Sequence, residues 1–209
     1  MNYFMKILAE HVEKKFRKEW VFRSFSYTFE SGKSYALTGP NGSGKSTLLK
    51  ILAQYSLPTK GKVSFLSESN NSIILDECHR MISFAAPYVE LIEEFTLTEL
   101  LNFLISLQAL PAHINLVGFQ DYVEMRPDQG KFIKNYSSGM RQKIKLGIAL
   151  LAEKPILMLD EPTTNLDEKA KNWFYQKVNE QKERLIIIAS NESQEINLCQ
   201  FQISILDFK

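Results

Sequence analysis

Residues 39–47 read Gly-Pro-Asn-Gly-Ser-Gly-Lys-Ser-Thr. They fit the pattern G-x-x-x-x-G-K-[ST], with Gly39, Gly44, Lys45 and Ser46 at its fixed positions. The segment follows a short apolar run, Tyr35-Ala36-Leu37, and precedes an apolar stretch holding Leu48, Leu49, Ile51 and Leu52. No other feature constrains the fold as much, because it requires a strand, a tight glycine-rich loop and a helix in that order. In such a loop successive N–H groups and the helix N-terminus point at an anion, and the glycines let the backbone come close. Gly39, Pro40, Asn41, Gly42, Ser43, Gly44, Lys45, Ser46 and Thr47 are therefore expected to cradle the phosphates of a nucleoside triphosphate. Lys45 reaches the β- and γ-phosphates, and the Ser46 hydroxyl is available to Mg2+. An ordinary turn needs neither residue at that spacing.

Composition narrows the class. A chain of 209 residues with 44% apolar content suits one domain with a sizeable core. A formal net charge of +1 gives no electrostatic footprint for nucleic acid. Cys78 and Cys199 lie far apart and match no metal-ligand spacing, so they read as reduced, partly buried thiols of an intracellular protein. Met1–Glu10 has no basic segment followed by a long apolar stretch. No run approaches the roughly 18 apolar residues of a membrane span. The expectation is a chain that meets a membrane only through a partner.

Along the chain, residues 3–38 read as several strands, with Ser24–Phe29 alternating polar and apolar residues and Ser31-Gly32-Lys33 turning the chain. A helix is expected over 46–55, then a turn at Pro58, Lys60 and Gly61 and a strand over Val63–Leu66. Ser67–Ser72 reads as a polar loop, and Ile73-Ile74-Leu75 and Met81–Ala85 as further strands. From Pro87 the pattern becomes helical. Thr96 and Glu99 form a capping box opening a helix over 96–110, whose apolar stripe reads as core. A shorter helical stretch follows Pro111, then a loop over Gln129–Asn135, a helix over 138–152, a buried strand over Ile156–Leu159, a helix over 167–182, a buried strand over Leu185–Ala189 and a closing strand over Ile203–Leu206. The alternation specifies an α/β sheet with a helical insert.

Leu159-Asp160-Glu161-Pro162 places two carboxylates at the carboxyl end of a buried strand, where ligands bind in open sheets. Asp160 suits the hard oxygen chemistry of Mg2+. Glu161 is placed to orient or deprotonate an attacking water. Tyr136-Ser137-Ser138-Gly139-Met140-Arg141-Gln142-Lys143 opens the helix that leads into that strand. Taken alone it is a helix cap.

With the loop at 39–47, this stretch, Asp160-Glu161 and Asn165-Leu166-Asp167 in order, the chain resembles the nucleotide-binding subunits of ABC transporters over essentially its whole length. The resemblance implies a P-loop NTPase core, RecA-like with a mostly parallel sheet, an N-terminal antiparallel β subdomain and an inserted helical subdomain. The single domain of residues 1–209 then divides into a core of 1–87 and 151–209 and a helical subdomain of 88–150. It implies ATP and Mg2+ as ligands, with Phe16 stacking on adenine and Trp20 as the second choice. Ser137, Ser138 and Gly139 would meet the γ-phosphate bound to a second subunit. A homodimer, a membrane-spanning permease partner, no nucleic acid, and a cytoplasmic position at the inner face of the cell membrane follow as expectations.

Three departures from the family pattern stand out. Ser138 and Met140 replace the usual glycine and glutamine. Pro87 stands where a glutamine links the helical subdomain to the site, with Glu90 as a weak substitute. Asn191, after Ile186–Ser190, takes the place of a histidine; it can donate an amide N–H to the γ-phosphate but carries no charge, which predicts slower hydrolysis. His11, His79 and His113 fall at no functional position. A soluble ABC ATPase acting on ribosomes or DNA is the alternative, although the chain has one cassette and no coiled-coil heptads. A binding-only cassette is another. A P-loop kinase or GTPase fits less well: the signature stretch and Asn165–Asp167 argue against a kinase, and no guanine-reading Asn-Lys-x-Asp occurs.

Overall fold

A computed structural model describes residues 5–67, 69, 71–128 and 130–209. The chain forms two compact units, one of residues 1–84, 154–161 and 181–209, the other of 85–153 and 162–180.

The first unit holds two sheets. β1 (Met5–Phe16) and β2 (Glu19–Glu30) form an antiparallel hairpin, and β4 (Lys60–Ser67) pairs with the other edge of β1, giving the order β2-β1-β4. Met5, Ile7 and Ala9 alternate into the core while their neighbours face outward, as a sheet covered on one face requires. Phe22, Phe25 and Phe29 of β2 and Phe65 of β4 are fully or almost fully buried. Lys60 and Gly61 belong to β4 rather than to a turn. Gly61 has φ +78, and a Cβ there would lie 2.3 Å from the His11 carbonyl oxygen, so the bulge in the β1–β4 pairing depends on glycine.

The second sheet contains β3 (Ser34–Thr38), β5 (Ile82–Ala85), β6 (Ile156–Asp160), β7 (Leu185–Ala189) and β8 (Phe201–Ser204) in the order β5-β6-β7-β3-β8. β6 and β7 are buried along their whole length, which explains their unbroken apolar sequences. The pairs β6–β7, β7–β3 and β3–β8 are parallel. Their register sets Asp160 and Leu37 both opposite Ala189. The carboxyl ends of β3, β6 and β7 therefore share one edge, and the three segments that leave it are the phosphate loop, Glu161 and Ser190-Asn191. α1 (Lys45–Leu52) buries Leu48, Leu49, Ile51 and Leu52. The short helices α2 (Leu75–Met81) and α7 (Ser193–Ile196) complete the unit.

Two expected strands are corrected. Ile73-Ile74-Leu75 is not a strand: Ile73 donates to the Phe65 carbonyl at 2.8 Å, Ile74 is the N-cap residue of α2, and Leu75 begins that helix. The helix buries Cys78 and leaves Ile74 64% exposed, so the apolar triplet does not mark one buried face. Ile203–Leu206 is only half strand. β8 stops at Ser204, whose Oγ accepts from the Leu206 N–H at 3.3 Å and starts a 3-10 turn over Ile205–Phe208. That turn brings Phe208 against Phe25 at 4.8 Å between ring centroids. Of the expected loops, Glu68, Asn70 and Gln129 lie outside the described residues, and 133–135 form a 3-10 turn.

The second unit is helical. α3 (Leu97–Ser106) begins with the capping box: Thr96 Oγ1 accepts from the Glu99 N–H at 3.3 Å, and the Glu99 carboxylate accepts from the Thr96 N–H at 2.7 Å. Leu97, Leu100 and Leu101 are buried. α4 (Leu116–Tyr122) is capped by Asn115, whose Oδ1 accepts from the Gly118 N–H at 2.9 Å. α5 (Ser138–Leu151) is capped by Ser137 and α6 (Glu168–Asn179) by Asp167. Trp173 of α6 donates its indole N–H to the Tyr122 carbonyl at 2.7 Å.

Candidate functional site

The phosphate loop is built from its backbone outward. Gly44 is the N-cap residue of α1 with φ +111, and a Cβ there would lie 2.5 Å from Val21 Cγ1. A side chain is excluded on both counts, so the loop can turn into the helix at this point only with glycine. Lys45 is 4% exposed and donates from Nζ to the carbonyl oxygens of Gly39 at 2.8 Å and Pro40 at 3.2 Å. These bonds hold an ammonium group at the loop with a third N–H to spare. Ser43 is buried, its N–H donates to the Pro40 carbonyl at 3.1 Å, and its Oγ has no hydrogen-bond partner among the described residues.

A cleft of about 480 Å3 opens over this loop, lined by Phe16, Val21, Asn41, Gly42, Gly44, Lys45, Ser46, Thr47 and Glu161. The structure thus brings six expected loop residues after Pro40, the expected aromatic and the expected water-activating carboxylate to one place. Phe16 is 55% exposed, with Lys14 Nζ 5.1 Å from its ring centroid. Lys14 is in turn tied to the Leu57 carbonyl at 2.6 Å and to Ser56 Oγ at 3.2 Å. Trp20 does not line the cleft; Lys15, Arg23 and Lys60 place cations 5.2, 4.8 and 5.6 Å from its ring centroid.

Asp160, the last residue of β6, is buried. Glu161, next to it, has φ 41, and its N–H donates to the Ala189 carbonyl at 2.8 Å. Asn191 leaves the neighbouring strand end, and its Nδ2 donates to Asn41 Oδ1 at 3.1 Å. This bond joins Asn191 to the phosphate loop. Nothing in the sequence announced it, because the two asparagines are 150 positions apart.

Ser137, Ser138 and Gly139 line a different pocket, of about 460 Å3 and wholly within the helical unit, together with Glu124, Met125, Met140, Lys143, Asn165–Asp167, Lys169 and Ala170. Ser137 Oγ caps α5 by accepting from the Met140 N–H at 3.2 Å. A Cβ on Gly139 would lie 2.9 Å from the Asn165 carbonyl oxygen, and Asn165 itself has φ 67. The start of α5 and the Asn165-Leu166-Asp167 turn are therefore in close contact, which the sequence order alone does not reveal. Lys143 is buried at the pocket wall, with Nζ 4.9 Å from the Trp173 ring centroid; burial pulls its pKa down, partly offset by Glu124 and Asp167. At the Pro87 departure, Lys145 of α5 donates to the carbonyls of Ala86 and Pro87, each at 3.2 Å. Glu90, exposed, acts on this lysine only through its charge.

Among the described residues no helix is long and apolar enough to cross a membrane, and no cluster of three or more His, Cys, Asp or Glu side chains could hold a metal by themselves.

The chain is similar in sequence and in fold to ABC ATP-binding proteins. The chain is 29% identical over 208 residues to the uncharacterized ABC transporter ATP-binding protein YybJ of Bacillus subtilis (strain 168), covering 92% of this chain and 89% of that one. It is 30% identical over 173 residues to the Nod factor export ATP-binding protein I of Burkholderia lata, covering 80% of this chain and 56% of that protein. Its fold superposes on the dimeric, post-hydrolysis ATP-binding cassette MJ0796 bound to ADP and Pi with a TM-score of 0.79, at 20% identity, covering 95% of this chain and 93% of that one. The family model described as ABC transporter matches residues 22–164. The chain belongs to the ABC transporter family and carries its ATP-binding, ABC ATPase domain.

Proposed function

We propose that the chain is the ATP-binding subunit of a transporter, hydrolysing ATP in a head-to-tail homodimer to drive transport through a separate membrane-spanning partner at the inner face of the cell membrane. The observation that carries this reading is the gathering of Phe16, Lys45, Ser46 and Glu161 in one cleft while Ser137, Ser138 and Gly139 line another. Two half-sites on one chain are what a two-fold, head-to-tail pair needs, since each subunit then completes the other's site.

Adenine stacks on Phe16, and the phosphates lie along Gly39–Thr47 with Lys45 balancing their charge. The partner's copies of Ser137, Ser138 and Gly139 bring a hydroxyl-rich helix N-terminus to the γ-phosphate. Ser46 and Asp160 are the residues that would hold Mg2+. Their hydroxyl and carboxylate oxygens are hard donors of the kind this ion takes, and it normally completes its shell with phosphate and water oxygens rather than a protein cage. Bound there, the ion would shield the charge on the phosphate oxygens. The Glu161 carboxylate orients a water and accepts its proton as the water oxygen bonds to the γ-phosphorus. The bond from that phosphorus to the bridging oxygen breaks, leaving ADP and inorganic phosphate. Asn191, oriented by Asn41, has a second amide N–H for the γ-phosphate.

The test is purification of the tagged chain from detergent-solubilised native membranes, with co-purifying chains identified by mass spectrometry. A stoichiometric polytopic membrane protein is the expected result. Recovery only from the soluble fraction, alone or with ribosomes or DNA, would overturn the transport reading.

A further inference from the structure

α5 carries a buried polar group that the proposed mechanism leaves unused. Gln142 is 3% exposed, and its Nε2 donates to the Pro162 carbonyl at 2.7 Å. A carbonyl only accepts, so the amide has one orientation here. Pro162 is itself buried and has no N–H, which makes its carbonyl the polar backbone handle of that residue. It is bonded directly to Glu161.

Glu161 is therefore held on both sides. The amide before it donates to Ala189 at 2.8 Å, and the carbonyl of the residue after it accepts from Gln142. Between the two bonds the Glu161 backbone has φ 41, a region that residues bearing a side chain rarely adopt. Such a conformation persists only where the surroundings over-determine it. Of the two bonds, the one to β7 fixes where the strand ends. The one from Gln142 holds the carbonyl of Pro162, one peptide further on, and through the fixed φ of the proline restrains the backbone as it leaves Glu161.

We infer that Gln142 is a positioning residue for Glu161. This inference rests on the proposed function. Ser137 caps α5, and Gln142 is the fifth residue of the same helix, little more than a turn further on. The N-terminus of α5 meets the nucleotide held by the partner. The Gln142–Pro162 bond ties this helix to the backbone that follows Glu161. Two observations support a specific role over simple packing. A buried amide is kept on the core face of α5, where an apolar residue would need no partner. Its hydrogen bond goes to a main-chain atom one residue from the proposed base.

The experiment is a double-mutant cycle of Gln142→Met with Glu161→Gln, read by steady-state ATP hydrolysis of the purified full chain. Methionine keeps the length of the side chain and removes the donor. Leaving a buried acceptor unmade lowers kcat about tenfold, while KM for ATP stays within about twofold. In the Glu161→Gln background the same change alters the residual turnover by less than about twofold, because a positioning residue acts only through the group it positions. An equal loss in both backgrounds, or a loss confined to KM, makes Gln142 a packing residue and overturns the inference. Melting curves and ATP affinity of each variant establish that it is folded, and Gln142→Leu replaces Gln142→Met in the cycle if the methionine variant is not. A wild-type chain without turnover in this assay refutes the proposed function and the inference with it. Normal wild-type turnover with an additive cycle refutes the inference alone.

Discussion

Replacing Phe16 by alanine isolates the contribution of base stacking. Among the described residues Phe16 is the one aromatic that lines the phosphate-loop cleft, and it is 55% exposed. A side chain so open supports little of the core, so the cost to folding is that of an ordinary surface change, within about 0.5 kcal/mol. Its worth to the nucleotide is larger. Stacking a base on an aromatic ring contributes about 1–3 kcal/mol, which corresponds to a rise in Kd of about 5- to 150-fold on truncation. Phe16→Trp keeps the stacking surface and should hold Kd within about threefold of wild type. Trp20→Ala is the control, because that ring faces Lys15, Arg23 and Lys60 and is absent from the cleft lining. It should change Kd by less than about twofold. The assay is equilibrium titration with a fluorescent ATP analogue, with a melting curve for every variant. Unchanged binding in Phe16→Ala, or a loss in Trp20→Ala instead, would refute the assignment of the adenine platform.

Glu161→Gln should retain ATP binding and lower turnover by about 10²–10⁴; near wild-type turnover would remove Glu161 from the role of base. Asn191→His should raise kcat. A charged donor is worth about 1 kcal/mol more than a neutral amide, or about fivefold, and the gain should grow as pH falls through about 6.5 and the imidazole charges. An unchanged kcat across that range would mean that residue 191 does not face the γ-phosphate. Burial, with Glu195 nearby, pushes the Cys199 thiol up to about 12, and burial also raises that of Cys78. Neither should react with a disulfide reagent at neutral pH in the native protein, and both should react in denaturant. Rapid labelling of the folded chain would contradict the raised pKa of these thiols, Cys78 buried and Cys199 half-buried.

The features legible in the sequence were those written in contiguous residues. The phosphate loop, the Thr96–Glu99 capping box and the unbroken apolar runs of β6 and β7 each carry their physics locally, in glycine spacing, a side chain three residues from an N–H, or burial on both faces. Ile73-Ile74-Leu75 failed because three apolar residues fit a strand or a helix start equally, and the decision fell to Cys78 further along. Ser204 ended β8 early through a side-chain bond that competes with the ladder. That Phe16 rather than Trp20 lines the cleft follows from the hairpin, which pairs Trp20 with Lys15 and leaves Phe16 at the tip. The bonds Asn191–Asn41 and Gln142–Pro162 join residues 150 and 20 positions apart, so they exist only after folding. Nor did the sequence show that Lys145 would hold the segment after β5 by the carbonyls of Ala86 and Pro87.

The backbone of Glu161 sets a limit on how stable this chain can be while it works. A left-handed φ of 41 at a glutamate is a standing cost of about 1–3 kcal/mol, in a domain whose whole margin is about 5–15 kcal/mol. Glycine would relieve most of that cost and asparagine part of it, so the residue best for the fold at this position is not the residue proposed to activate the water. Screens for thermostability should therefore return substitutions at 161 that melt later and hydrolyse nothing. A natural lineage in which turnover no longer mattered would drift the same way. The identity of residue 161 in close relatives thus serves as a record of whether selection still acts on hydrolysis.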